Sequence, residues 1–350
     1  MAATPAGVAV LLTGVGKRYA LVSVFAQHAT TVAADPNPLA PAQYAAHERR
    51  AVPPFDDPGY VPALQELCEE FGVGAVVPLT DLDLEILGHA RNDPTHPLPA
   101  FVPDGDIARA TFDKYETHLL LQRLGLPSPP TVLPGEPVDS YPVMIKPRWG
   151  SGARSIHLAQ NAREAEFLAE YIREPAMVQR AMQGPEFSMD CLSDLEGRCL
   201  NVIPRTMIES RGGESIKGTV IADEELMDLG RRVVEALGCR GPCTVQAFRD
   251  QEIGLGITDV NTRFGGACPA HLYAALPGRT YPELIVRMAR GERIEPHIGE
   301  FRDRVTFTRY YWQLELDADL RPTGRDLIRT PSPPTPPIPA PAPAPAAADS

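Results

Sequence analysis

The sequence predicts an α/β chain, with an open parallel sheet followed by a body of mixed strands and helices. Three observations carry this. Apolar strand patterns at residues 8–12, 31–34 and 75–79 alternate with helical periods at 19–28, 60–71 and 82–90, the order expected of parallel strands joined by crossover helices. A proline-punctuated stretch at 94–106 marks a boundary, after which strand pairs with glycine-bearing turns dominate. The last residues read PSPPTPPIPAPAPAPAAADS, with almost no side chain able to build a core, so 330–350 is expected to be a disordered or polyproline II tail.

A chain of 350 residues with 43% hydrophobic content can bury a large core and hold two or three domains. A net charge of -12 and a pI near 5.2 argue against a nucleic-acid binder that works by neutralising phosphates, yet leave room for a local basic pocket. Cys68, Cys191, Cys199, Cys239, Cys243 and Cys268 form no CxxC pair. Cys239 and Cys243 flank Arg-Gly-Pro, a spacing suited to a turn rather than a zinc knuckle, so free thiols are expected. The N-terminus lacks a basic n-region and no stretch approaches a membrane span, which predicts a cytoplasmic protein with no membrane partner.

The first strand runs into Thr13-Gly14-Val15-Gly16-Lys17-Arg18. A Walker A loop would need glycine where Leu11 stands and Ser or Thr where Arg18 stands. A dinucleotide fingerprint would need a third glycine where Tyr19 stands, although Asp35 lies where a ribose-binding acid would. An NAD(P)-dependent oxidoreductase is therefore a minor alternative resting on Gly14, Gly16 and Asp35. The helix N-terminus could equally face another anionic ligand. Residues 107–124 read as one helix carrying Asp113-Lys114 and stopping at Gly125, and Pro127, Pro129 and Pro130 form an extended connector. In the strand at 141–147, Lys146 interrupts an apolar run, and a buried lysine calls for an anionic partner. The loop after it carries Gly150, Ser151 and Gly152, able to offer backbone N–H groups to a polyphosphate.

Helices are expected at 162–174, 224–237 and 281–290, and strands at 176–180, 184–192, 199–205 and 305–312. Residues 208–219 are polar and glycine-rich, and are expected to be mobile. The hairpin at 244–261 places Asp259 and Asn261 on one strand face, Gln246 opposite them, and Arg263 just beyond. Hard oxygen donors so arranged suit Mg²⁺, which keeps water and substrate phosphates in its shell. On these residues alone, a solvated polar hairpin face is an equal alternative.

The order of a helix bearing Asp113-Lys114, a strand-borne Lys146, a glycine loop, Gly184-Pro185-Glu186, and Gln246 followed by Asp259-x-Asn261-x-Arg263-Phe-Gly-Gly resembles the ATP-grasp superfamily. The nearest branch is that of single-unit relatives of the carbamoyl-phosphate synthase large chain, and the resemblance spans about 8–312. It implies a Rossmann-like domain at 1–105, an ATP-grasp small lobe with the glycine loop at 106–180, and a large lobe with the metal site at 181–315. It further implies ATP and Mg²⁺ as cofactors, with Mn²⁺ as a substitute.

Carried over residue by residue, Lys114 and Lys146 would contact the phosphates and adenine, and Gly150, Ser151 and Gly152 would cover the phosphates. Gln179, Arg180 and Met182 would belong to the adenine-holding hinge, and Glu186 would accept from the ribose. Gln246, Asp259 and Asn261 would be the metal ligands. Arg263 and Lys217 are the catalytic candidates, and Arg205, Arg211, Lys217 and Arg309 are candidates to hold a substrate carboxylate, with a plain surface charge as the commoner role of each. His157 and His271 are expected to be satisfied structural histidines. Two departures stand out: Asp259 replaces the usual Glu, and Arg180 occupies a position where many relatives place an adenine-facing Glu. With one ATP-grasp unit instead of two, the chain is not expected to make carbamoyl phosphate. The activity implied is a carboxylate–amine (or thiol) ligase working through an acyl phosphate on an amino acid or similar small acid. Its partners would be small molecules and no nucleic acid, with a homodimer left open. A non-catalytic nucleotide-binding protein of the same fold is the other alternative.

Overall fold

β1 (Ala9–Thr13) is apolar through its first four residues and buried throughout, as a parallel strand covered on both faces should be. The computed structural model describes residues 7–150, 154–211, 214–266 and 269–324. α1 (Tyr19–His28), β2 (Thr30–Ala34), β3 (Glu48–Arg50), α2 (Tyr60–Phe71) and β4 (Val73–Pro78) follow, giving a parallel sheet in the order β3-β2-β1-β4. α1 lays Leu21, Val22 and Phe25 on one face of the sheet; α2 and α3 (Leu84–Arg91) lay Leu64 and Leu87 on the other. The edge strand β3 has no apolar residue and exists by pairing with β2.

Residues 107–124 do not form one helix. α4 (Gly105–Phe112) and α5 (Lys114–Arg123) meet at Asp113, whose φ of -93° and ψ of 114° are extended. Its carboxylate caps α5 by accepting from the N–H groups of Tyr115 at 2.9 Å and Glu116 at 3.3 Å. Arg148 Nε donates to both oxygens of the same carboxylate at 3.1 and 3.0 Å, and the Lys114 N–H donates to the Arg148 carbonyl at 2.8 Å.

β5 (Thr131–Val132), β6 (Val143–Pro147), β7 (His157–Ala159) and β8 (Ala176–Arg180) form an antiparallel sheet in the order β5-β8-β6-β7. α6 (Ala162–Tyr171) covers it and ends three residues before the expected 174. β9 (Glu186–Ser193) and β10 (Cys199–Thr206) belong to a second antiparallel sheet. Residues 208–219, expected to be mobile, instead contribute β11 (Glu209–Arg211) and β12 (Glu214–Thr219). α7 (Glu224–Ala236) packs Leu226, Leu229 and Val233 beneath β13 (Gly241–Asp250) and β14 (Gly254–Asn261), which complete the order β10-β9-β13-β14. α8 (Ala270–Ala274) and α9 (Tyr281–Ala289) lead to β15 (Thr306–Thr308), far shorter than the expected strand at 305–312 because only these residues pair with β12.

Within residues 312–324 an isolated bridge joins Leu316 to Pro322. The tail at 330–350 lies outside the described residues, as does Cys268; Cys68, Cys191, Cys199, Cys239 and Cys243 are free thiols. Among the described residues no helix is long and apolar enough to cross a membrane.

Candidate active site

The β13–β14 register sets Gln246 directly opposite Asp259, and the period-two pleat puts Asn261 on the face of Asp259. Asn261 Nδ2 donates to Asp259 Oδ2 at 2.9 Å. β9 adds Glu186, whose Oε1 accepts from Gln246 Nε2 at 3.4 Å. Oxygen-bearing side chains from three adjacent strands thus converge. Burial pushes the Glu186 carboxyl up, the Asp259 charge adds to this, and Lys146 opposes it. For Asp259 burial also acts upward, but Lys114, the Asn261 amide and Lys146 together hold it below the usual carboxylate range. These donors fit a hard cation. Among the described residues no three His, Cys, Asp or Glu side chains form a metal-binding group.

The facing wall carries the lysines. Lys114, at the start of α5, sets Nζ 3.0 Å from Asp259 Oδ1. Lys146 on β6 is buried and donates to Gln179 Oε1 at 2.8 Å, while Gln179 Nε2 donates to Thr131 Oγ1 at 2.9 Å. The direct partner of this buried lysine is therefore a neutral amide, with Asp259 and Glu186 acting at longer range. Burial first and Lys114 second, against the opposing pull of the two carboxylates, bring its ammonium down to about 8.

Lys114, Lys146, Glu186, Gln246, Asp259 and Asn261 all line one cavity of about 1400 Å³. In a chain of net charge -12, nine basic side chains on its lining outnumber four acidic ones. Gly150 borders it with φ of 119° and open space where a Cβ would go, while Ser151 and Gly152 lie outside the described residues. Gln179, Arg180 and Met182 also border it, but the Arg180 guanidinium pairs with Glu252. Met182 packs against Gly256, where an added Cβ would fall 2.7 Å from its Cε. Arg263 lines the cavity and is held by the Phe264 carbonyl at 2.9 Å, Asn261 Oδ1 at 3.1 Å and Asp81 Oδ2 at 2.6 Å.

Lys217 is a correction. Its Nζ sits 2.6 Å from Glu209 Oε2, its side chain is half exposed, and it does not line the cavity. The register shift opposite Ser215 to Lys217 in the β11–β12 pair interrupts the period-two pleat, and Ser215 lines the cavity while Lys217 does not. Arg205 does line the cavity, but buried against Asp190; its Nε has no partner among the described residues. Arg309 lines it as well, and the Arg211 side chain lies outside the described residues.

His271 is structural but not satisfied. It is stacked on Tyr281 at 4.5 Å and against Phe264 at 5.1 Å, and neither ring nitrogen has a hydrogen-bond partner among the described residues. Burial pushes its imidazole down to about 4, so it is neutral. His157 sits edge-on to Tyr171 at 6.0 Å.

The residues behind the dinucleotide alternative have other work. The Asp35 carboxylate accepts from the N–H groups of Gly16 at 3.0 Å and Asn37 at 2.9 Å. Gly14 has φ of 56°, and a Cβ there would lie 2.5 Å from Thr80 Cγ2, so this glycine admits the loop after β4. That loop lines the cavity together with Lys17 and Arg18, beside the helix N-terminus left open to another anionic ligand.

Comparison with known proteins follows the same lines. The family described as PylC-like, N-terminal domain, matches residues 10–96, and that described as ATP-grasp in the biosynthetic pathway with Ter operon matches 173–309. A D-alanine–D-alanine ligase of Actinobacillus succinogenes is 27% identical over 44% of this chain and 59% of its own length, so the chain spans less than two thirds of that relative. Biotin carboxylase from Campylobacter jejuni, solved in an ATP-type complex, superposes with a TM-score of 0.65 at 16% identity, covering 85% of this chain and 74% of that one. An L-amino acid ligase from Bacillus licheniformis superposes with a TM-score of 0.63 at 17% identity, covering 82% and 75%. The chain is thus similar to the ATP-grasp superfamily, its residues 173–309 matching an ATP-grasp family and its parallel-sheet region a domain found in PylC-like proteins.

Proposed function

We propose that this chain is an ATP-dependent carboxylate–amine ligase that activates a small acid, of the amino-acid class, as an acyl phosphate. The observation that carries the reading is the cavity in which Lys114 and Lys146 face Glu186, Asp259 and Asn261 across a strongly basic lining. The relatives named as D-alanine–D-alanine and L-amino acid ligases support the substrate class. Asp259 and Asn261, with Gln246 and Glu186 beside them, would hold Mg²⁺, or Mn²⁺ in its place, which when bound neutralises charge on the nucleotide phosphates.

In the first step a substrate carboxylate oxygen attacks the γ-phosphorus, the bond from that phosphorus to the bridging β-oxygen breaks, and ADP leaves. In the second, the amine nitrogen attacks the acyl carbon, the bond to phosphate breaks, the nitrogen loses a proton, and phosphate leaves with the amide formed. Such transfer depends on positioning and charge neutralisation more than on a covalent residue. Lys146, fixed by Gln179, and Lys114 supply positive charge on one wall, and Arg263 supplies it beside the metal strand. Residues 179–182 serve as the adenine-holding hinge, and walls that exclude water protect the acyl phosphate from hydrolysis.

The test is ADP release from Mg·ATP across pairs of amino acids, with mass spectrometry of the product. One pair or more should release ADP and yield a dipeptide-type amide, and Asp259→Asn should abolish the release without changing the circular dichroism spectrum. Tight Mg·ATP binding with no release from any pair would leave only a nucleotide-binding protein.

A further inference from the structure

We infer that Asp81 is a positioning residue for phosphoryl transfer: from the parallel-sheet region it holds the Arg263 guanidinium beside the metal strand. The inference rests on the ligase reading above and deepens it. Asp81 lies in the loop leaving β4, at the carboxyl end of a parallel strand, where open α/β sheets place their ligand crevices.

The loop is fixed on both sides of Asp81. On one side the Leu79 N–H donates to the Thr13 carbonyl at 2.9 Å, and Thr80 lies against Gly14 too closely to admit a Cβ there. On the other side Asp83 is fully buried and accepts from Thr13 Oγ1 at 2.6 Å and Tyr60 OH at 2.7 Å. From this mount Asp81 Oδ2 receives Arg263 Nη2 at 2.6 Å, across 182 residues of chain. The arginine is 7% exposed, so the pair is poorly screened.

The same Nη2 reaches Asn261 Oδ1 at 3.1 Å, Asn261 Nδ2 reaches Asp259 Oδ2 at 2.9 Å, and Asp259 Oδ1 receives Lys114 at 3.0 Å. Charges alternate along this line, with the neutral Asn261 amide between Arg263 and Asp259. If Asn261 were to hold a metal, Asp81 would remain as the carboxylate that fixes Arg263. Without Asp81, the guanidinium would lose the contact that aims it, and the misplaced charge would be felt by the transferring phosphoryl group.

Isothermal titration of the full chain tests this, with Mg·ADP alone and Mg·ADP with aluminium fluoride as probes of the ground state and of the transferring phosphoryl group. Asp81→Asn should bind Mg·ADP within about twofold of wild type and lose roughly ten- to a hundredfold for the fluoride complex, the scale of a small misplacement. Arg263→Lys should show the same selective loss, and the double variant should add nothing to it. Asp81→Glu should recover part of the loss. Equal weakening of both probes, an unchanged fluoride complex, or losses that multiply would overturn the inference. If Asp81→Asn does not fold, Asp81→Glu is read alone: a loss confined to the fluoride complex supports the inference, and any other pattern overturns it. A wild-type chain that binds Mg·ADP but gains nothing from fluoride overturns the ligase reading itself, whereas equal gains in wild type and variant overturn only the role of Asp81.

Discussion

Replacing Arg205 with Met breaks an ion pair whose side chains are 2% and 5% exposed, leaving the buried Asp190 carboxylate without its cation. Removing one partner of such a pair costs about 3–5 kcal/mol. Two features place this case at the lower end. Arg205 Nε already lacks a partner among the described residues, and Asp190 Oδ2 keeps the Ala270 N–H at 2.7 Å. The unit from Met1 to Tyr311 should unfold with an entropy of roughly 0.6 kcal/mol/K, so a loss near 3 kcal/mol lowers the melting temperature by about 5 °C. Differential scanning calorimetry at neutral pH reads this directly. Adding Asp190→Asn, which removes the stranded charge and keeps an acceptor for Ala270, should restore more than half of the loss. A single-variant shift below about 1 °C, or a double variant falling by the sum of the two losses, would refute the reasoning.

Lys146 gives a pH signature. Its folded pKa of about 8 lies below the unfolded value, so between about 8 and 10.4 the unfolded chain binds more protons and stability rises with pH relative to Lys146→Met. Over the same rise Mg·ADP affinity should fall as the ammonium loses its charge; a flat titration would contradict the assignment. Lys217→Ala should change stability by less than about 0.5 kcal/mol, because its pair with Glu209 is solvent-exposed, and should leave ADP release within about twofold. Gly14→Ala should destabilise by roughly 1–3 kcal/mol in urea denaturation, since its Cβ would lie 2.5 Å from Thr80 Cγ2 at a φ of 56°. An unchanged midpoint would show that the loop yields freely.

The parallel sheet was legible because β1, β2 and β4 are largely apolar runs bounded by helices, a pattern that burial on both faces imposes. β3 carried no such signal: Glu48-Arg49-Arg50 is the polar composition a sheet edge tolerates. The break at Asp113 had a local mark in the capping spacing from Asp113 to Glu116, but the leucines after it continue a helical period and masked the interruption. In the cleft, residues of the hairpin and the strand-borne lysine were found because pleat and burial are local properties. The face that Lys217 would take was not legible, since it depends on a register shift in the β11–β12 pair that breaks the alternation between Ser215 and Lys217. Asp81 had no signal at all: its partner is 182 residues away, and only the folded sheet brings them together.

The joint between α4 and α5 has a mechanical consequence. Arg148, at the root of the glycine loop, grips the Asp113 carboxylate with its guanidinium and the Lys114 N–H with its carbonyl. Arg148 and the lysine at the start of α5 are thereby joined into a single piece. On the proposed reading, any displacement of Arg148 that accompanies nucleotide binding carries Lys114 with it.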